Sequence, residues 1–224
     1  MNFSKKNHNF KQKIIRRRKT LKKVNNLILL LIVLSLSMTS CKSDDEDVFT
    51  PSLPPITQTG ANTFGCYIDG KLLVPRDGEG TFNSPSHGIY YHTAGNYPNY
   101  LFDEIEVNNY KGNTKLIIHI VGLHQNEEGL YEIKNSNCLS SVDANLTTNL
   151  FYVYKDKVTQ ETKYYCSIEN TGTLTITKYD IPNRIVSGTF SCTAVNKDDS
   201  NDTIQITDGR FDFKWDTINN VVFP

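Results

Sequence analysis

The first 40 residues contain no aspartate or glutamate, although the whole chain has 24 acidic residues. The same segment holds ten of the 24 lysines and arginines, so the other 184 residues have a formal charge of −10. An acidic body lacks the surplus of Lys and Arg that phosphate contacts require. The charge distribution therefore argues against nucleic acid as a partner, and the basic segment is typical of the start of a secretory signal.

The chain also lacks an apolar run long enough to cross a bilayer. Residues 27–36 (LILLLIVLSL) are too few for a helix that spans about 30 Å of hydrocarbon. Their length fits the apolar region of a signal peptide. Thr39, Ser40 and Cys41 follow, and this arrangement resembles the lipobox of bacterial lipoproteins, with Met38 where Leu is usual.

The lipobox resemblance implies that a signal peptidase removes residues 1–40 and that Cys41 carries the lipid. Each buried methylene contributes about 0.8 kcal/mol, so two or more acyl chains give a stable hold on the membrane. The alternative is an ordinary secreted protein with an incidental cysteine. Shortly after Cys41 come Ser43, Asp44, Asp45, Glu46 and Asp47. This acidic run resembles the export signal of Bacteroidota lipoproteins. We therefore expect a lipid anchor in the outer membrane that faces the cell exterior, the alternative being an anchor that faces the periplasm.

Residues 41–61 are predicted to form an acidic, proline-containing tether, and residues 62–224 the folded domain. Three prolines and small polar residues between 48 and 61 favour a semi-extended segment. In the domain, no helical period is sustained over three turns. Short alternating segments recur about every ten residues instead, which predicts an all-β antiparallel sandwich or small barrel.

Local turn signals complete the prediction of the fold. Asp69-Gly70 separates two alternating segments and predicts a type I′ hairpin. Asp208-Gly209 is interpreted as a second turn. Residues 83–99 mix Gly, Pro, His and Tyr and are expected to form a long loop.

Both ends of the domain resemble a family of small Bacteroidota lipoproteins of unknown function. At the start these are residues 62–71 (NTFGCYIDGK) with Pro75 beyond them. At the end they are residues 188–192 (GTFSC) and 206–212 (ITDGRFD). The resemblance implies an all-β secreted domain and implies no activity.

Four further cysteines lie in the domain, and they are Cys66, Cys138, Cys166 and Cys192. In an exported protein an even number permits two disulfides, in any of three pairings. A zinc site needs close ligand pairs, and no two of these cysteines lie within ten residues of each other, so no metal is expected. Cys66 and Cys192 lie in alternating segments and are alternatively buried as small apolar side chains.

The titratable residues form no recognisable catalytic pattern. His119 lies in an apolar strand and is expected to be a satisfied strand histidine, and His124, five residues later, is expected on the opposite face. Asp103 and Glu104 are adjacent, point apart on a strand and are expected at a solvated strand end, which does not suit the facing carboxylates of a glycosidase. No cofactor is expected.

Tyrosine is enriched in the middle of the domain, and the candidate binding aromatics are Tyr90, Tyr91, Tyr97 and Tyr100. Aromatic platforms bind sugars or peptides, although tyrosine is also an ordinary strand residue. The leading hypothesis is a non-enzymatic surface lipoprotein that binds a glycan, a peptide or an outer-membrane protein. The alternatives are an extracellular hydrolase and an accessory subunit of an outer-membrane complex.

Overall fold

A computed structural model describes residues 49–81, 83–96 and 98–224. The signal peptide, Cys41 and the export signal lie outside the described residues, as does Tyr97. The described chain forms the strands β1 (Thr63–Ile68), β2 (Lys71–Leu73), β3 (Ile89–Asn96), β4 (Asn99–Asn109), β5 (Thr114–Val121), β6 (Gly129–Glu132), β7 (Asn149–Lys155), β8 (Thr162–Ser167), β9 (Thr173–Asp180), β10 (Ile185–Asn196) and β11 (Asp199–Lys214).

Helical structure is sparse in the described chain. One four-residue helix, α1 (Leu123–Asn126), follows β5, and 3₁₀ turns cover Ser141–Asp143 and Ile218–Asn220. None of the described helices has the length and apolar character needed to cross a membrane. The prediction of an all-β domain is confirmed.

All strands belong to one antiparallel sheet, in the order β2-β1-β11-β10-β8-β7-β5-β4-β3. The sheet forks at β10, because the first half of β10 pairs with β9 and its last residues pair with β8. Strand β6 extends the β9 branch. The hydrogen-bonded order ends at β2 and β3, so the sheet is not closed.

The sheet curls around a single apolar core. Every one of its strands contributes side chains to one cluster, which contains Phe64 near one end of the strand order and Ile89 at the other. The chain after β2 also reaches β4, where Arg76 N–H donates to the Asn108 carbonyl at 3.0 Å. A sheet whose two ends bury side chains in one cluster must bend back on itself, since no helix among the described residues is large enough to cover its apolar face.

Of the two turns predicted from Asp-Gly pairs, one is confirmed and the other, in β11, is wrong. Asp69 and Gly70 have φ values of 48° and 74°, as a type I′ turn between β1 and β2 requires. Asp208 also has a positive φ of 53°, but Asp208-Gly209 is not a turn. The pairing of β11 with β1 and with β10 shifts register there, which makes it a bulge inside one 16-residue strand. A side chain at Gly209 would lie about 2.5 Å from the Phe190 ring, so only glycine fits.

The prediction of a long loop over residues 83–99 is also partly wrong. Strand β3 begins at Ile89 and pairs with β4 through Asn96↔Asn99, so half of that segment is a β-hairpin. Its Gly and Asn content reflects the hairpin turn and a register shift between Ala94 and Gly95.

Cys138 and Cys166 form a disulfide, with their Cα atoms 5.3 Å apart. It joins the loop before β7 to β8 and packs against Ile117 and Phe151, on the sheet face opposite the main core. Cys66 and Cys192 are free and buried. They lie on β1 and β10, on either side of β11, so about two strand spacings, or roughly 10 Å, separate them. A disulfide needs Cα atoms within about 7 Å, so these two cysteines act as small apolar side chains.

The last residues of the predicted tether are held against the sheet by Asp212 of β11. This side chain accepts hydrogen bonds from Thr57 Oγ1 at 2.7 Å and from the backbone N–H groups of Thr59, Gly60 and Ala61 at 2.8–3.1 Å. Ser187 Oγ on β10 donates to it at 2.7 Å. Burial opposes the ionisation of Asp212, but these hydrogen bonds outweigh burial and lower its pKa to about 2. Residues 57–61 are thus part of the folded body.

We predict that Asp212→Asn lowers the free energy of unfolding at pH 7 by about 2 kcal/mol, from the lowered pKa and the linkage relation. Because the folded-state pKa lies below the unfolded value near 3.8, the carboxylate's contribution is present above pH 4 and is lost as pH falls toward 2. Urea unfolding of both proteins between pH 7 and pH 2.5 should show the difference shrinking. The exposed Asp198→Asn variant is the control, and a difference that is independent of pH would contradict the assignment.

Candidate functional site

A cavity of about 460 Å³ lies between β3, β4, α1, the end of β9 and the segment after β11. Its volume falls within the range of about 300–1,000 Å³ that is usual for small-molecule sites. The cavity is rich in aromatic side chains, and we call it the aromatic pocket. It is lined by Tyr91, Thr93, Pro98, Tyr100, His124, Tyr179, Ile181, Arg184 and Trp215.

Local sequence places the polar groups beneath the pocket. Tyr91 and Thr93 are two residues apart on β3 and therefore lie on one face of the strand. Asp103 on β4 lies directly opposite Thr93 in the antiparallel register. Gly122 has a φ of 77°, which lets the chain leave β5 and enter α1 at once, and α1 carries His124 to Asp103.

Asp103 is fully buried and contacts three polar side chains from two parts of the chain, β3 and α1. Its Oδ1 receives the hydroxyls of Tyr91 at 2.8 Å and Thr93 at 2.7 Å. His124 Nε2 lies 3.2 Å from Oδ1 and 3.1 Å from Oδ2. A buried carboxylate is costly unless it is paired and hydrogen-bonded. Oδ1 meets that need through its hydrogen bonds, whereas Oδ2 has the ion-pair contact with His124 and no hydrogen bond among the described residues.

His124 continues the network to Tyr179 on β9, whose hydroxyl is hydrogen-bonded to His124 Nδ1. Burial, followed by the negative charge of Asp103, raises the pKa of both Tyr179 and Tyr91. Both phenols therefore stay protonated at neutral pH and donate. With Tyr179 as donor, Nδ1 of His124 accepts and Nε2 carries the hydrogen that Asp103 receives.

The aromatic walls are fixed by their own contacts. The Tyr100 ring stacks on His124 with centroids 3.9 Å apart, and the Trp215 ring stacks on Tyr179 at 5.7 Å. Asn219, in the 3₁₀ turn after Trp215, accepts from Tyr91 N–H at 2.7 Å and donates to the Tyr91 carbonyl at 2.9 Å. The amide of Asn219 thus takes the place of a strand partner along the edge of β3, which ties the Trp215 segment to the strand that carries Tyr91.

The structure separates the four tyrosines proposed from the sequence. Tyr91 and Tyr100 line the aromatic pocket. Tyr90 is next to Tyr91 on β3 and so points to the other face, where its hydroxyl donates to the Pro85 carbonyl at 2.8 Å. Tyr97 lies outside the described residues. Tyr179 and Trp215 were not recognised from the sequence, although Trp215, the only tryptophan of the chain, was a signal that could have found the site.

The expectation that Asp103 and Glu104 mark a solvated strand end was wrong. The two side chains do point to opposite faces of β4, but both are buried. Glu104 Oε2 lies 3.2 Å from His119 Nδ1 and accepts the Ser141 N–H at 2.8 Å, under the loop that the disulfide anchors. His119 is therefore a buried strand histidine with a partner at Nδ1, but its buried Nε2 has no hydrogen-bond partner among the described residues, so the expectation of a satisfied histidine holds only for one nitrogen. His124 lies in α1 and not on the strand, so the expected arrangement of the two histidines on opposite strand faces does not apply.

A second cavity, of about 390 Å³, lies between the β1–β2 hairpin and strands β7 and β8. Two of its three tyrosines have hydroxyls that meet acidic neighbours: Tyr165 contacts Asp202 at 3.0 Å and Tyr154 contacts Asp156 at 3.2 Å. It exposes less apolar surface than the aromatic pocket, and its lining contains no histidine or tryptophan. The aromatic pocket is therefore the better candidate.

Among the described residues, no three His, Cys, Asp or Glu side chains come together in a group that could hold a metal ion. The aromatic pocket offers ring faces for stacking and the Thr93 hydroxyl, above a buried carboxylate that accepts hydrogen bonds from the chain's own side chains. Such a set of groups binds and orients a ligand. No family model, curated protein or solved structure matches the chain.

We predict that Asp103→Ala lowers the free energy of unfolding by about 3 kcal/mol, because Tyr91, Thr93 and His124 lose their common acceptor inside the protein. Tyr91→Phe, which removes one donor, should cost about 1 kcal/mol. Chemical denaturation at pH 7 measures both. Equal losses for the two variants would show that Asp103 does not organise the network.

Proposed function

We propose that the protein is a lipid-anchored surface lipoprotein whose β domain binds a ligand in the aromatic pocket. The observation that carries this proposal is the convergence of Tyr91, Tyr100, Tyr179 and Trp215 on one cavity above a buried polar network. These residues come from four separate segments of the chain. Aromatic side chains around a concave site with a few placed polar groups are typical of ligand sites.

The contacts favour binding over hydrolysis. Hydrolysis by covalent catalysis needs a base that is hydrogen-bonded to an activated nucleophile and oriented by a third group. Asp103 orients His124, but the hydroxyl at the other ring nitrogen belongs to Tyr179. The raised pKa of Tyr179 makes its hydroxyl a weak nucleophile at neutral pH. The pocket therefore matches recognition of a glycan, a peptide or a protein segment better than cleavage of one.

The anchor and the location form the second part of the proposal. They are supported by the basic segment, the apolar run and the lipobox-like residues that end at Cys41, together with the acidic residues after it. The resemblance to Bacteroidota lipoproteins favours the outer membrane and its outer face. In that setting the aromatic pocket would meet ligands from outside the cell.

Ligand binding can be followed directly, because the only tryptophan lies in the pocket. We expect a hit from a glycan or peptide array to change the fluorescence of Trp215 in a saturable way. Tyr100→Ala should weaken that binding at least tenfold, since it removes a pocket wall. Tyr164→Phe, on an exposed tyrosine of β8 that does not line the pocket, should leave it unchanged. Binding that Tyr100→Ala leaves intact would place the site elsewhere.

Anchoring is tested with Cys41→Ser in cells fed a labelled fatty acid. We expect the label on the unaltered protein and none on the variant, which should also leave the membrane fraction. A second variant replaces the four acidic residues together by Asn or Gln, and these are Asp44, Asp45, Glu46 and Asp47. This variant should keep the label but should no longer be cleaved by protease added outside intact cells. A labelled Cys41→Ser variant would refute the assignment of the anchor.

A further inference from the structure

The aromatic pocket has a definite electrostatic sign, which narrows the class of its ligand. Three tyrosines and one tryptophan line it, and the faces of aromatic rings carry partial negative charge. Rings gathered around a cavity therefore attract a cation placed among them. The full charges near the pocket decide whether this attraction is reinforced or cancelled.

The charges below and beside the pocket are acidic. Asp103 lies beneath Tyr91, Thr93 and His124. Glu127, just after α1, together with Asp103 acts on Tyr179 through its negative charge. Glu128 Oε1 accepts the backbone N–H of Tyr179 at 3.0 Å. Three carboxylates thus act on Tyr179, which forms one wall of the pocket: Glu128 by direct contact and Asp103 and Glu127 through their charge.

Positive charge near the pocket is largely neutralised. Among the described residues that line it, Arg184 is the one with a permanent positive charge, and its Nη1 lies 2.9 Å from Asp216 Oδ2. His124 Nε2 lies 3.1 Å from Asp103 Oδ2, so any charge on the ring is offset by that carboxylate, and Glu127 and Glu128 remain. The pocket and its immediate surroundings therefore carry a net negative charge.

We propose that the aromatic pocket binds an organic ammonium group, either a quaternary amine or the amine of a lysine side chain. This inference rests on the proposed function, because it names the ligand class of the same pocket. The ring faces replace part of the hydration that the ammonium loses, and the carboxylates supply the long-range attraction. An anionic ligand would meet the carboxylates unfavourably, and a neutral sugar would gain nothing from them.

The decisive comparison uses two probes of equal shape and different charge. Choline and its neutral carbon isostere, 3,3-dimethylbutan-1-ol, are titrated separately into the protein while the fluorescence of Trp215 is followed. We expect choline to bind at least tenfold more tightly than the isostere. A peptide that contains trimethyllysine, tested against the same peptide with norleucine, shows whether a side chain presents the ammonium better than a free amine does.

Two variants test the origin of the attraction. Glu127→Gln removes one exposed charge and should weaken choline binding about twofold, because exposed charges are screened by salt. Asp103→Asn removes the buried charge and should weaken it about tenfold. Glu127→Gln should leave binding of the neutral isostere unchanged. Glu161→Gln, on the β7–β8 hairpin, is the matched control, and Glu127→Gln keeps the test valid if Asp103→Asn does not fold.

The outcomes separate the two proposals. Equal binding of choline and its isostere, or binding that neither charge variant alters, would overturn the inference about the ammonium. If a neutral sugar or an uncharged peptide alone changed Trp215 fluorescence, that inference would fail while the binding function stood. If no ligand of any class changed it, both proposals would fail.

Discussion

A sheet with one apolar face and no large helix to cover it can bury that face only against itself. The described chain has eleven strands and a single four-residue helix, so this constraint governs the whole fold. The sheet curls until its two ends share one core. It forks at β10 because β9 and β8 pair with different parts of the same edge of that strand. The aromatic pocket lies where the curled β3–β4 end meets the β9 branch.

Two buried aspartates hold together segments that the sheet alone would leave apart. Asp212 fixes residues 57–61 to β11, and Asp103 fixes α1 to β3 and β4. In both cases a carboxylate without water is stable only if several donors surround it, and the donors come from distant or irregular segments. The buried carboxylates therefore fix the position of segments that form no backbone hydrogen bonds with a neighbouring strand.

Much of the fold was predictable because the strands alternate apolar and polar residues. The all-β class followed from that pattern, and the alternating segments on either side of Asp69-Gly70 predicted the hairpin of β1 and β2. The bulge at Asp208-Gly209 was mistaken for a turn, because both structures use the same residues with positive φ. What distinguishes them is pairing with β1 and β10 at once, which is a property of the assembled sheet.

The candidate site was less predictable, and the reason is physical. Its residues lie more than 120 positions apart in the chain, from Tyr91 to Trp215, and no local pattern links them. Asp103 looked like a solvent-exposed acid because a single carboxylate carries no sign of its donors. Once the donors are known, its role changes: Oδ1 of Asp103 accepts from Tyr91 and Thr93 and lies within hydrogen-bond distance of His124, so this oxygen is not available to a ligand. In the binding mode that we propose, Asp103 acts through its charge, so that a pocket lined by aromatic residues would still discriminate between ligands by their charge.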